Sequence, residues 1–266
     1  MFPIGFYRDK NGELNVQGIK INTLAAKYGT PLFIYDTGLM KERYEVFHNT
    51  VKSVKGSIHY AVKANDSVNI IKFFGKLGAG ADIVSIGEFY KCIAAGISSD
   101  KIIFSGVGKD KEEIEIALRN NILQFNIESE EELYDIYEIA KKYKITANIC
   151  LRINPDIAPN THKKISTGEK ETKFGIDSEK IFSIYKKLHE LDYINPVGLG
   201  VHIGSQIFDF SFFQRAYSNL KNIADNLKKS GYKIPTLDLG GGIGIHYEGK
   251  EKPNFDDYKK IISKLF

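Results

Sequence analysis

One lysine, Lys63, ends the apolar run in the stretch SIHYAVKAND at positions 57–66. A lysine in apolar surroundings has a lowered pKa, and the neutral amine that results can condense with an aldehyde. A solvated strand end would explain the same residue without any chemistry. Lys63 is therefore a candidate nucleophile whose role depends on its neighbours.

Other ionisable side chains also fall near the carboxyl ends of predicted strands. Asp82, Arg152 and His202 are examples, and α/β barrels build their active sites at this edge of the sheet. His202 lies between Gly200 and Gly204, which leave space for a flat ligand against the imidazole. A lone histidine is more often a hydrogen-bonded core residue, and an aspartate can simply cap a helix. The recurrence at equivalent strand ends predicts a shared site.

The glycine run LDLGGGIGIHYEGK, residues 237–250, excludes two common nucleotide-binding motifs. A dinucleotide fingerprint GxGxxG would need glycine where Ile245 or Tyr247 stands. Residues 244–250 match GxxxxGK, but Glu251 replaces the serine or threonine that would bind magnesium. Neither a Rossmann nor a P-loop nucleotide site is predicted.

Three consecutive glycines, residues 240–242, remain to be explained. Their bare backbone N–H groups can surround a phosphate, although a tight structural turn would need the same residues. A strand-end lysine, a histidine flanked by glycines and a phosphate-binding turn together indicate pyridoxal phosphate. Lys63 would hold the aldehyde, His202 would lie on the ring and the glycines would hold the phosphate.

Short β-branched or aromatic runs alternate with stretches of helical spacing, which is typical of βα units around a parallel sheet. The predicted strands are residues 31–35, 57–63, 80–84, 101–104, 122–127, 146–153, 197–202 and 235–239. Ser129 and Glu132 are spaced as a capping box. A (β/α)8 barrel and a doubly wound sheet both fit the alternation. Residues 154–177 lack a regular period and form a candidate active-site loop, or else a surface insertion.

Bulk composition limits the class of protein. At 266 residues and 42% hydrophobic content the chain can form one large domain. The net charge of +4 is scattered without a basic arm, so no nucleic-acid partner is expected. Two cysteines, Cys92 and Cys150, cannot form a disulfide framework or a CxxC metal site, and we predict no metal. No signal peptide or membrane span is evident, so we expect a cytoplasmic protein.

These motifs resemble the barrel-type, fold III pyridoxal phosphate decarboxylases, and most closely the diaminopimelate decarboxylase branch. The matching stretches, in the family's order over residues 20–250, are YAVKAN, GAGADIVSIGE, LRINPD, THKKISTG with KFGI, GLGVHIGSQI and LDLGGGIGI. Decarboxylases of other basic amino acids share the lysine, histidine and glycine motifs. The THKKISTG and HIGSQ stretches look like the diaminopimelate branch.

The resemblance implies roles for seven residues. Lys63 would form the Schiff base with pyridoxal 5'-phosphate, and His202 would stack on the cofactor ring. The other residues expected to bind or support the cofactor are Asp82, Arg152, Ser205, Gly241 and Gly242.

The resemblance also implies an architecture. Residues 37–266 would form an α/β barrel of the alanine racemase-like (β/α)8 type, here with seven strands and without its last strand. Residues 1–36 would join a separate β-domain, together with a C-terminal part that family members have. The family's EPGR and CES motifs are absent, so we expect a truncated chain with little activity of its own.

The implied activity is decarboxylation of meso-2,6-diaminopimelate to L-lysine and CO2, by an enzyme that is a homodimer when complete. Two alternatives stay open. One is an ornithine or arginine decarboxylase, and the other is a barrel that binds pyridoxal phosphate without catalysis.

Overall fold

The computed structural model describes residues 5–157, 174–245 and 253–266, which form a small antiparallel sheet and a large parallel sheet with helices outside it. The strands are β1 (Phe6–Arg8), β2 (Leu14–Val16), β3 (Ile19–Lys20), β4 (His59–Ala61), β5 (Gly80–Ile83), β6 (Ile102–Phe104), β7 (Gln124–Ile127), β8 (Ala147–Asn154), β9 (Ile176–Asp177), β10 (Ile194–Val201) and β11 (Thr236–Asp238). The α-helices are α1 (Ile21–Tyr28), α2 (Thr37–Val51), α3 (Val68–Lys76), α4 (Ile86–Ala95), α5 (Lys111–Arg119), α6 (Glu130–Tyr143), α7 (Ile181–Glu190), α8 (Ser211–Lys229) and α9 (Phe255–Leu265).

Seven strands of the large sheet lie side by side in the order β4, β5, β6, β7, β8, β10, β11, and β9 adds a two-residue pairing to β8. Every neighbouring pair is parallel. Parallel strands need a crossover connection, and helices α3 to α8 supply the crossovers. All carboxyl ends of the strands therefore meet at one edge.

A hydrogen bond across the sheet shows that it is curled. Asn126 on β7 donates its Nδ2 to Oδ2 of Asp238 on β11 at 2.8 Å, although β8 and β10 lie between these strands. In a flat sheet the two strands would be about 14 Å apart, three interstrand spacings. The two side chains must meet across the interior of a curved wall, which favours the barrel over the doubly wound sheet.

The core lies mainly between the sheet and the helices. All four residues of β7 are buried, and Phe104 on β6 stacks on Phe125 on β7 with ring centroids 6.2 Å apart. Burial on both faces is typical of a parallel sheet covered by helices, and on β7 the apolar Phe125 and Ile127 alternate with the polar Gln124 and Asn126.

Local sequence determines where the helices begin. At the start of α6, one of the two hydrogen bonds of the predicted capping box has a different donor. Ser129 Oγ accepts the N–H of Glu132 at 3.1 Å, as expected. The Glu132 carboxylate instead accepts the N–H of Glu128, one residue before the cap, at 2.9 Å. The displaced bond ties the end of β7 to the first turn of α6.

The last helix closes the outer layer. Helix α9 packs on α2 and α8, and its Tyr258 hydroxyl hydrogen bonds to that of Tyr217 at 2.8 Å. Phe47 on α2 contacts Phe255 and Tyr258, with centroids 5.9 and 6.0 Å apart. The helices thus meet on the outside, whereas β4 and β11 each keep an edge that no described strand pairs.

The predicted strand at residues 31–35 is wrong. This segment is irregular and largely exposed, with Phe33 83% and Tyr35 53% accessible. Pro31 cannot donate to a ladder, and no described strand pairs with the segment. The small sheet β1 to β3 lies before it and was not predicted. The division into residues 1–36 and 37–266 stays a prediction.

The irregular stretch predicted as an active-site loop lies mostly outside the described residues, as do positions 246–252 after the glycine run. Among the helices that are described, none has the length and apolar character needed to cross a membrane.

Candidate active site at the carboxyl ends of the strands

Lys63 lies just past its strand rather than on it. Strand β4 ends at Ala61, and the 3-10 turn Val62–Ala64 follows, closed by the N–H of Asn65 on the carbonyl of Val62 at 3.0 Å. Val62 fills the core position, so the turn leaves Lys63 exposed. The expectation of an apolar environment for this amine is therefore wrong in the described protein. The amine is instead accessible to a ligand.

His202 directly follows β10 and is half-buried. Its Nδ1 accepts the N–H of Gly241 at 3.2 Å, which leaves the proton of the neutral ring on Nε2. Burial, together with the positive charges of Arg152 and Lys63, lowers the pKa of His202 to about 3. The imidazole is therefore neutral near pH 7.

Asp82 on β5 accepts a hydrogen bond from the Ser105 hydroxyl at 2.6 Å. Burial raises the pKa of Asp82 to about 6, and the hydrogen bond from Ser105 opposes the rise. Asp238 raises this pKa, whereas Lys63 and Arg152 lower it. These interactions place Asp82 in the same electrostatic environment as the other predicted side chains.

Arg152 on β8 is held from several sides. Its Nη1 donates to Glu128 Oε1 at 2.8 Å, and its Nη2 lies 3.5 Å from the carbonyl oxygen of His202. The ring of Phe174 lies 5.0 Å from the guanidinium carbon. The Glu128 side chain is only 2% exposed. A buried, charge-assisted pair of this kind fixes the guanidinium close to the His202 backbone.

Two of the three consecutive glycines are required by packing. A Cβ on Gly240 would lie 2.3 Å from the carbonyl oxygen of Val201, and one on Gly242 would lie 1.9 Å from that of Gly204. Both glycines also have positive φ, +66° and +106°. This part of the run is the tight structural turn that the sequence left open.

Gly241 is different, because a Cβ there would meet no described atom within 4 Å. The turn is joined to the loop after β10, where Ile207 donates to Gly242 and receives from Gly244, both at 2.9 Å. Ser205 in that loop is exposed. Among the described residues, the backbone N–H groups of Ser205 and Gly242 have no hydrogen-bond acceptor. Open space beside unused donors is what a phosphate group requires.

The structure brings together every residue predicted for the site. Lys63, Asp82, Arg152 and His202 are linked by the electrostatic interactions above, and the Gly241 bond joins the glycine turn to His202. Their roles toward a cofactor stay predictions. Both cysteines are buried, and burial raises the pKa of Cys92 to about 12, so neither is a reactive thiol.

Several polar residues of the site were not recognised in the sequence. Glu128 accepts the N–H groups of Gly106 and Gly175 at 3.1 and 3.2 Å in addition to its pair with Arg152. Ser105 and Glu128 immediately follow β6 and β7, so the rule that selected Asp82 would have found them. Their specific partners depend on which strands are neighbours, and no local pattern indicates that.

Comparison with known proteins gives consistent matches. Residues 37–266 match the family described as pyridoxal-dependent decarboxylase, pyridoxal binding domain. The chain is 42% identical over 260 residues to the diaminopimelate decarboxylase of Aquifex aeolicus (strain VF5), covering 97% of this chain and 61% of that protein.

Solved structures agree with this match. The diaminopimelate decarboxylase of M. jannaschii in co-complex with L-lysine has a TM-score of 0.90 at 37% identity, over 99% of this chain and 62% of that one. The Helicobacter pylori enzyme, complexed with L-lysine, has a TM-score of 0.86 at 39% identity, over 92% and 62%. The predicted fold class is confirmed. The chain spans about three fifths of the length of these relatives.

Proposed function

Since this chain belongs to the pyridoxal-dependent decarboxylase family, we propose that it forms the cofactor-binding barrel of a diaminopimelate decarboxylase, which converts meso-2,6-diaminopimelate to L-lysine and CO2. The observation that supports this proposal is the arrangement of residues in the site. An accessible lysine, a neutral imidazole and an open glycine turn meet at the carboxyl end of one sheet. The family match confirms the class of cofactor predicted from the sequence.

The residues present fit pyridoxal 5'-phosphate. Lys63 would hold the aldehyde, His202 the ring, and Ser205 with Gly241 and Gly242 the phosphate. When bound, this cofactor supplies an electron sink for the pair left behind when CO2 departs.

Each of the chain's own groups has a task that its geometry suits. The neutral His202 can lie against a cationic ring without charge repulsion, because its pKa is about 3. The Nδ1 acceptor bond from Gly241 keeps the imidazole plane in a fixed orientation. Arg152 adds a positive charge held by Glu128, which suits a carboxylate group of the substrate or the phosphate of the cofactor.

The substrate assignment rests on the relatives. Their shared name is diaminopimelate decarboxylase, and the two solved relatives described above hold L-lysine, the product proposed here. A homodimeric assembly, a cytoplasmic location and a separate domain containing residues 1–36 stay predictions.

Covalent labelling tests the cofactor assignment. Borohydride reduction in the presence of pyridoxal 5'-phosphate should fix the label on Lys63, located by peptide mass spectrometry. Lys63→Arg should abolish stoichiometric labelling, whereas Lys72→Arg, at another exposed lysine, should not. Labelling at a different lysine, or none, would disprove the assignment.

Absorbance changes on adding amino acids to the cofactor-loaded protein test the substrate class. We expect meso-diaminopimelate to give a saturable change at lower concentration than ornithine or arginine. A stronger response to ornithine or arginine would favour the polyamine-precursor alternative. A loaded protein that responds to no amino acid would favour the non-catalytic barrel.

A further inference from the structure

Asp238 is the last residue of β11 and lies two residues before the glycine turn. Its Oδ1 accepts the N–H of Gly240 at 2.9 Å, two residues further on. Such an aspartate-to-backbone bond fixes the local turn. Here it fixes the first glycine of the run, whose φ of +66° and close approach to Val201 leave no room for a side chain.

The second carboxylate oxygen is held from the opposite wall. Asn126 Nδ2 donates to Asp238 Oδ2 at 2.8 Å. Asn126 is itself oriented, because its Oδ1 accepts from Gln124 Nε2 at 2.8 Å. Its Nδ2 also lies 3.1 Å from Ser105 Oγ, which donates to Asp82. A chain of side-chain hydrogen bonds thus runs from Asp82 on β5 to the glycine turn after β11.

Strand pairing does not require this carboxylate. Strand β11 pairs with β10 through its backbone, in the register Gly198 to Thr236 and Gly200 to Asp238. A neutral side chain could accept one N–H equally well in a simple turn. A carboxylate makes stronger hydrogen bonds, and it places both oxygens on donors from two separate elements. That arrangement restrains both the side chain and the turn.

Building on the proposed function, we propose that Asp238 is a positioning residue for the phosphate of the cofactor. It sets the backbone of residues 240–242 so that the unused N–H of Gly242 faces the open space beside Gly241. Asn126 holds Asp238 in the required orientation from across the barrel. Neither residue needs to touch the ligand.

Comparing two ligands that differ only in the phosphate isolates this role. Dissociation constants are measured for pyridoxal 5'-phosphate and for pyridoxal, with Asp238→Ala and the natural protein. Loss of the two hydrogen bonds that the Asp238 carboxylate accepts should weaken the binding of pyridoxal 5'-phosphate by about tenfold. Pyridoxal should change by less than about twofold. Circular dichroism of each variant establishes that the fold is retained.

An exchange of the two partners provides the rescue. Asp238→Asn places two amide donors face to face, and Asn126→Asp places two carboxylates face to face, so each single variant should weaken phosphate binding. The double variant restores one amide and one carboxylate with the bond reversed, and should recover most of the affinity. Asn148→Ala is the matched control, since Asn148 donates to Leu123 at the other end of the strands.

Equal weakening of both ligands, or no recovery in the double variant, would overturn the proposal. So would unchanged or tighter phosphate binding by Asp238→Ala, because a carboxylate near the phosphate would then act only by repulsion. If the natural protein binds neither ligand, the proposed function fails instead, and the two failures are distinct.

Discussion

Two ionisable residues of the site respond to pH in opposite directions. The pKa of Asp82 is 3.8 in the unfolded chain and about 6 in the folded protein. Between these two pH values the folded protein keeps a proton that the unfolded chain has lost, so Asp82 makes stability fall as pH rises. Folded His202 stays neutral down to about pH 3, whereas the unfolded residue is protonated below 6.5. His202 therefore makes stability rise with pH over that range. The two contributions oppose each other where the windows overlap.

Replacing Asp82 by asparagine separates the two contributions. The variant lacks the penalty for ionising a buried carboxyl group. Its stability relative to the natural protein should therefore be greater at about pH 7.5 than at about pH 4.5, by on the order of 2 kcal/mol. Urea unfolding of the cofactor-free protein at both pH values measures this difference. Asp100→Asn, at an exposed carboxylate, is the control, and an equal effect of Asp82→Asn at both pH values would contradict the expectation.

At the scale of elements, local sequence determines where helices begin and where the glycine turn bends. The N-terminal serines and acidic residues that start α4, α5 and α6 accept backbone N–H groups as their types predict. The positions of most strands also follow from apolar runs. Lys63 was misplaced because a buried valine before it and a short 3-10 turn ended the strand early. Packing decides which residue fills a core position, and this cannot be predicted from the periodicity of the strand.

The glycine turn gives two matched variants with different outcomes. Gly242→Ala would force a Cβ into the carbonyl oxygen of Gly204 at positive φ, and should destabilise the protein by about 2 kcal/mol. Gly241→Ala meets no described atom, so its stability should change by less than about 0.5 kcal/mol. The added methyl group should instead weaken binding of pyridoxal 5'-phosphate.

Thermal unfolding without cofactor and a binding titration distinguish these two effects. Normal cofactor affinity in Gly241→Ala would show that the space beside this glycine is not used by the ligand. A stable Gly242→Ala variant would show that the turn can shift away from Gly204.

At the scale of the whole molecule, the curled sheet explains how the residues of the site come together. Curvature brings β5, β7 and β11 close enough for their polar residues to interact across the interior. The alternation of strands and helices predicted the parallel sheet, but it could not distinguish a barrel from an open sheet. The cross-interior pairs made that distinction, and they join residues as far apart in sequence as Asn126 and Asp238.

The edges of β4 and β11, with which no strand in the described residues pairs, predict association. Open parallel edges present free backbone donors and acceptors to other chains. Light scattering coupled to size exclusion should show a mass that grows with protein concentration. A constant dimer mass would indicate a defined interface instead, and a monomer at every concentration would contradict the prediction.

The packing of α9 on α2 also affects how the chain reaches its fold. The hydroxyl of Ser53 lies 3.0 Å from that of Ser263, a contact between residues 210 positions apart. Closing so long a segment carries an entropic penalty that local contacts do not, and contacts of high sequence separation slow folding. We therefore expect the contacts between α9 and the segment that follows α2 to form late in folding.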